Sequence, residues 1–168
     1  SLLILGNGFD KDLGMKTAYR DFAESTFWPF TNLSNKDQGS LACFLNERKE
    51  DVNTWFDLEE LLAEFAQNIN KTIEQAEKDF QDLDKVIKSL KEYLQAQEDE
   101  FCKKMDTSMH AKRDTPARNV LQRFLKNKEI HSIYTFNYTN VYRIAMEIMF
   151  EAEGKMFSHV HGSIKDNN

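Results

Sequence analysis

Three short polar sets each follow an apolar run: Gly6-Asn7-Gly8-Phe9-Asp10, Thr135-Phe136-Asn137-Tyr138-Thr139 and His159-Val160-His161-Gly162-Ser163. Gly6 and Gly8 let the backbone approach a phosphate closely, and a helix start behind them offers N–H groups and partial positive charge. A tight structural turn explains the same glycines nearly as well, because the segment is neither a full GxGxxG fingerprint nor a P-loop. Asp10 suits a bond to a ribose hydroxyl and, equally, the N-terminal end of a helix. Asn137 carries one acceptor and two donors, enough to orient a ribose, an amide or a water, or to cap the helix that follows it. His161 is the natural acid or base, and Gly162 beside it leaves room for a ligand. Of His159 and His161, at most one is expected to face that ligand. No carboxylate or cysteine nearby completes a zinc set around them, so no metal is expected.

The elements that would position these residues can be read from local patterning. Leu2 to Leu5 is wholly apolar, as a strand buried on both faces would be. Phe9 to Leu13 reads as one or two helical turns stopped at Gly14. Thr17 is placed to cap a helix running through Tyr19 and Phe22 towards Phe27, ended by Pro29. Residues 31–40 are rich in Asn and Ser and read as a loop.

From Thr54 to Met105, apolar residues recur in steps of three and four: Leu58, Leu62, Phe65, Ile69, Ile73, Ala76, Phe80, Leu83, Ile87, Leu90, Leu94, Phe101 and Met105, with one lapse at Gln97. That is an amphipathic helix with a coiled-coil-like seam. A straight helix of about 50 residues would reach roughly 75 Å, so a break is expected near Asn68 to Lys71, giving an antiparallel hairpin. A coiled-coil dimer is the competing arrangement.

Thr115-Pro116 is a helix start, with the helix running to about Lys128. Ile130 to Phe136 reads as a strand, Thr139 to Glu153 as a helix closed by Gly154, and Met156 to Val160 as a third strand. Strand, helices, strand, helix, strand implies an α/β fold with a parallel sheet and crossover helices. Ligands of open parallel sheets bind beyond the carboxyl ends of the strands, where all three polar sets fall. The expected organisation is a nucleotide-binding α/β core from residues 1–30 and 115–168, with a helical insertion over 41–106.

Bulk composition narrows the function classes. Hydrophobic residues are 40% and charged residues 30% of the 168, enough for a core and a solvated surface. A formal net charge of -6 argues against nucleic-acid binding through phosphate neutralisation. Cys43 and Cys102 have no zinc spacing and read as free thiols in a reducing cytoplasm. No apolar run approaches the roughly 20 residues that cross a bilayer. A cytoplasmic location follows as the expectation. The helical region offers a surface for a phage or host protein, or for a second copy, although most of its Glu and Lys residues are expected simply to solvate it.

Leu3-Ile4-Leu5-Gly6-Asn7-Gly8-Phe9-Asp10, with Gly14, Thr17, Tyr19 and Phe22 behind it, resembles the opening of AbiH-family phage-defence proteins. Trp55-Phe56-Asp57-Leu58-Glu59, Phe136-Asn137-Tyr138-Thr139 and His161-Gly162 resemble later motifs of that family. More distantly, the layout is similar to sirtuins and sirtuin-like NAD hydrolases, which carry a glycine-rich turn, a Thr-x-Asn-x-Asp motif and a His-Gly pair. That resemblance implies a Rossmann/sirtuin-like sheet and NAD as substrate or ligand. Asn137 would hold the nicotinamide ribose and its attacking water, and His161 would be the base. Gly6, Asn7, Gly8, Phe9, Asp10, Thr135, Tyr138, Thr139 and Gly162 would line the cofactor site. Thr139 stands where the sirtuin pattern has an aspartate. The three strands are fewer than a doubly wound domain uses, so a domain truncated at its C-terminus is expected. A non-catalytic nucleotide sensor or interaction module is the alternative to an NAD hydrolase.

Overall fold

The computed structural model describes residues 2–34, 37, 40–50, 55–67, 71–106, 114–129, 131–149 and 156–160. Its three strands are β1 (Leu2–Leu5), β2 (Ser132–Thr135) and β3 (Met156–His159). The helices are α1 (Gly8–Asp12), α2 (Tyr19–Ala23), α3 (Leu41–Arg48), α4 (Trp55–Ala66), α5 (Ile73–Asp106), α6 (Pro116–Lys126) and α7 (Val141–Met149). By its contacts the chain divides into two compact units, residues 1–17 with 94–168, and residues 18–93.

The first unit holds the sheet. All its strands are parallel, in the order β1-β2-β3. The register sets Leu3 beside Ile133 beside Phe157, and Leu5 beside Thr135 beside His159. Period-two alternation puts these two rows on one face. There Leu3, Leu5 and Ile133 are buried against Phe9 of α1, Phe101 and Cys102 of α5, Leu121 and Leu125 of α6, and Val141, Ile144 and Ile148 of α7. The other face leaves Leu2, Ile4, Tyr134 and Met156 exposed. Among the described residues the sheet is thus an α/β arrangement with its helical cover on one side.

Local signals account for most boundaries. α1 stops where Gly14 takes φ +87, a left-handed conformation that glycine adopts without a Cβ clash. α6 starts at Pro116, with the Thr115 hydroxyl accepting from Arg118 N at 3.2 Å and Asp12 accepting from Ala117 N at 2.7 Å. One capping expectation is corrected. The N-cap of α2 is Ala18, not Thr17, and Asp21 accepts from the Ala18 N–H at 3.1 Å. The Thr17 hydroxyl is drawn away because it donates to Asn7 Oδ1 at 2.7 Å. α2 also ends at Ala23, well before Pro29.

In the second unit, Tyr19, Phe22, Trp28 and Phe30 are buried with Tyr93. Their rings meet mostly edge to face, as the aromatic quadrupole favours, with Phe22 and Trp28 centroids 5.6 Å apart. The long apolar repeat is broken as expected, since α4 ends at Ala66 and α5 begins at Ile73. The seam, however, is rotated. Asp79 and Asp82 of α5 accept from the Leu41 and Ala42 N–H groups at the start of α3, at 2.8 and 3.3 Å. In the first part of α5 this buries Asp82, Val86 and Tyr93, leaves Leu83 and Leu90 half-buried and turns Ile73, Phe80 and Ile87 outward, while Leu94 and Phe101 of the same repeat are buried. Cys102 is buried, Cys43 is half-buried, and neither is in a disulfide.

Candidate functional site

Parallel strands in register bring their carboxyl ends to one edge of the sheet. The ladder continues one residue beyond each end: Phe136 N–H donates to the Leu5 carbonyl at 2.9 Å and Val160 N–H to the Thr135 carbonyl at 2.9 Å. At this edge the chain assembles a buried polar cluster from distant segments. Asp10 is 1% exposed and accepts from Asn137 Nδ2 at 2.9 Å and from Thr139 Oγ1 at 2.7 Å. The Thr135 hydroxyl accepts from the Asn137 N–H at 3.0 Å. Asn7 joins the edge through its bond from Thr17.

Burial pushes the Asp10 carboxyl up to about 7, because the ionised form loses its water. Hydrogen bonds from Thr139 and Asn137, and the Thr17 hydroxyl nearby, oppose the rise, and the Glu98 carboxylate adds to it. Asn137 is 3% exposed, and its Oδ1 has no hydrogen-bond partner among the described residues. A buried carbonyl without a donor costs about 1–3 kcal/mol. It therefore marks a place where a ligand hydroxyl or a water can donate.

The glycine turn is open. Neither Gly6 nor Gly8 has the positive φ that would demand glycine, and a Cβ on either would meet nothing within 4 Å. The two line a cleft of about 460 Å³ with Ile4, Leu5, Asp12, Pro116 and Val120. Their small size is thus not required by the chain's own packing.

Several expected site residues have other work. Phe9 is a core side chain, so only its backbone remains for a ligand. Asn137 does not cap the next helix. Asn140 does so instead, its Oδ1 accepting from Arg143 N at 3.0 Å. His159 lies on the buried face with Leu5 and Thr135, and its Nδ1 is 3.2 Å from the Asn137 carbonyl. A carbonyl only accepts, so Nδ1 carries the proton. Residues two apart on a strand share a face, so alternation by itself does not separate His159 from His161. His161 and Gly162 lie outside the described residues. Tyr138 is half-buried beside the cluster's Asn137 and Thr139.

Glu98 is the residue that sequence reading missed. It is fully buried on α5, accepts from Asn140 N at the start of α7, and lies 3.4 Å from Arg143 Nη1. Its signal was the lapse in the apolar repeat, because position 98 is the step of four after Leu94 and three before Phe101. Among the described residues no group of three or more metal-ligating side chains occurs, and no helix is long and apolar enough to cross a membrane.

Comparison of the chain with characterised proteins and with solved structures finds no match in either set. One family does match, described as bacteriophage abortive infection AbiH, over residues 2–168. That span includes the glycine turn, the Asn137 segment and both units, and the chain therefore belongs to the AbiH family of bacteriophage abortive infection proteins.

Proposed function

We propose that this abortive-infection protein holds NAD, or a nucleotide like it, at the carboxyl ends of β1 and β2, in a sheet of Rossmann/sirtuin-like type, and hydrolyses the nicotinamide glycosidic bond. The observation that carries this reading is Asn137 Oδ1, a buried acceptor without a donor at the edge where parallel sheets take their ligands. A ribose hydroxyl or the attacking water supplies that donor. The open space before Gly6 and Gly8 supports the same reading, since phosphates need close backbone approach. In the reaction, water adds to the anomeric carbon as nicotinamide leaves, giving ADP-ribose and one proton. Asn137 orients the ribose and the water, and His161, two residues past β3, accepts the proton.

The test is nicotinamide release from NAD by the full-length protein, run with and without phage lysate, alongside a direct binding measurement. Turnover is expected, with at least about a hundredfold loss in His161→Ala and Asn137→Ala, the range for removing a general base or an orienting group. NAD binding without turnover in the unaltered protein would make the site a nucleotide sensor. Neither binding nor turnover would sink the nucleotide reading.

A further inference from the structure

The outward seam of α5 is a surface of its own. Ile73 is 81%, Phe80 71% and Ile87 43% exposed, and with the exposed Ala76 and the half-buried Leu83 and Leu90 they recur at steps of three, four, three, four and three. Alternating three and four is the heptad period, which keeps a seam facing a partner helix along a supercoil. A helix that packed this stripe on its own domain would bury Ile73, Phe80 and Ile87, and α5 instead buries Asp82, Val86 and Tyr93.

The charges beside the seam identify the partner. Glu77 flanks it at its amino end and Lys91 at its carboxyl end, with Asp84 between them and Glu74 and Lys88 one row further out. No ion pair joins Glu74, Glu77, Lys88 or Lys91 to another described residue, whereas the neighbouring Lys78 and Lys85 pair with Asp37 and Asp82. Two copies laid parallel would set glutamates against glutamates and lysines against lysines. Laid antiparallel, each acidic end meets a basic one, and a two-fold axis relates the chains.

We infer that α5 self-associates through the Ile73–Leu90 seam into an antiparallel coiled-coil dimer of the protein. The seam supplies the apolar contact, and the polarised flank fixes the direction. Six apolar positions make a short coiled coil, so the dimer is concentration-dependent.

Sedimentation velocity of the full-length protein over a dilution series tests this. A monomer–dimer equilibrium is expected, with Phe80→Lys raising the dissociation constant at least tenfold. Phe80 is largely exposed within the chain, so the variant is expected to keep its circular dichroism, and Ile73→Lys is a second variant of the same kind. Direction is tested by charge exchange. A chain carrying all four changes, Glu74→Lys, Glu77→Lys, Lys88→Glu and Lys91→Glu, should dimerise alone and should not pair with the unaltered chain, whereas a parallel dimer would do the reverse. A monomer at every concentration would overturn the inference. So would a dimer indifferent to Phe80→Lys and Ile73→Lys, or a fourfold-exchanged chain that is monomeric alone and pairs with the unaltered one.

Discussion

Gly8 opens α1, a place where alanine would ordinarily serve the helix at least as well. Gly8→Ala is expected to leave stability unchanged or to raise it by up to about 1 kcal/mol, because its φ is ordinary and no atom lies within 4 Å of the added methyl. If a phosphate uses that space, the same change weakens nucleotide binding about tenfold or more, equivalent to ~1.4 kcal/mol. Calorimetric titration beside thermal melting separates the two effects, and unchanged affinity would remove the glycine turn from the ligand site. At this scale the sequence was informative about which residues are polar at strand ends, since each apolar run visibly stops there. It said nothing of which groups would meet. Asp10 and Asn137 are 127 residues apart, and no local pattern reports that a carboxylate from the first turn will hold the amide of the second. Thr17 shows the same limit: its type and place suit a cap, and Asn7 outcompetes the helix for its hydroxyl.

Among the elements, α5 is where a single residue reaches furthest. Glu98 fills a core position with a carboxylate and binds the start of α7. Glu98→Ala would leave the Asn140 N–H buried without an acceptor and open a void, at a cost of about 3 kcal/mol. Glu98→Gln keeps the acceptor and is expected to cost much less. Denaturant unfolding of the two variants checks this, and equal losses would mean that the charge matters more than the hydrogen bond. Helix and strand positions were legible where a local rule operates: the apolar runs of β1 and β2, the stop at Gly14, the start at Thr115-Pro116, the break ahead of Ile73. Which side of α5 turns inward was not legible. Leu94 and Phe101 of its apolar repeat are buried as the repeat implies, but in the first part Asp79 and Asp82 bond the N-terminal amides of α3 and turn Ile73, Phe80 and Ile87 outward. Tertiary hydrogen bonds between polar groups leave no periodic trace.

For the whole molecule, Asp10 ties stability to pH. Its folded value of about 7 lies above the unfolded value of about 4, so the folded chain binds the extra proton. Its contribution is fully present below about pH 4, declines as pH rises, and is gone once the pH passes about 7. The amount lost across that window is on the order of 4 kcal/mol. Asp10→Asn should remove this slope, so its stability relative to the unaltered protein should improve from pH 5 to pH 8. A constant difference across that range would show that Asp10 is ionised throughout.

The exposed apolar residues on one side of the sheet bear on how the protein behaves as a solute. A parallel sheet ordinarily hides both planes, and here Leu2, Ile4, Tyr134 and Met156 meet water. Such a plane is slippery towards water and adhesive towards anything greasy. Salts that are excluded from protein surfaces should make the molecule stickier, and dilute chaotropes should keep it dispersed well before they loosen its fold.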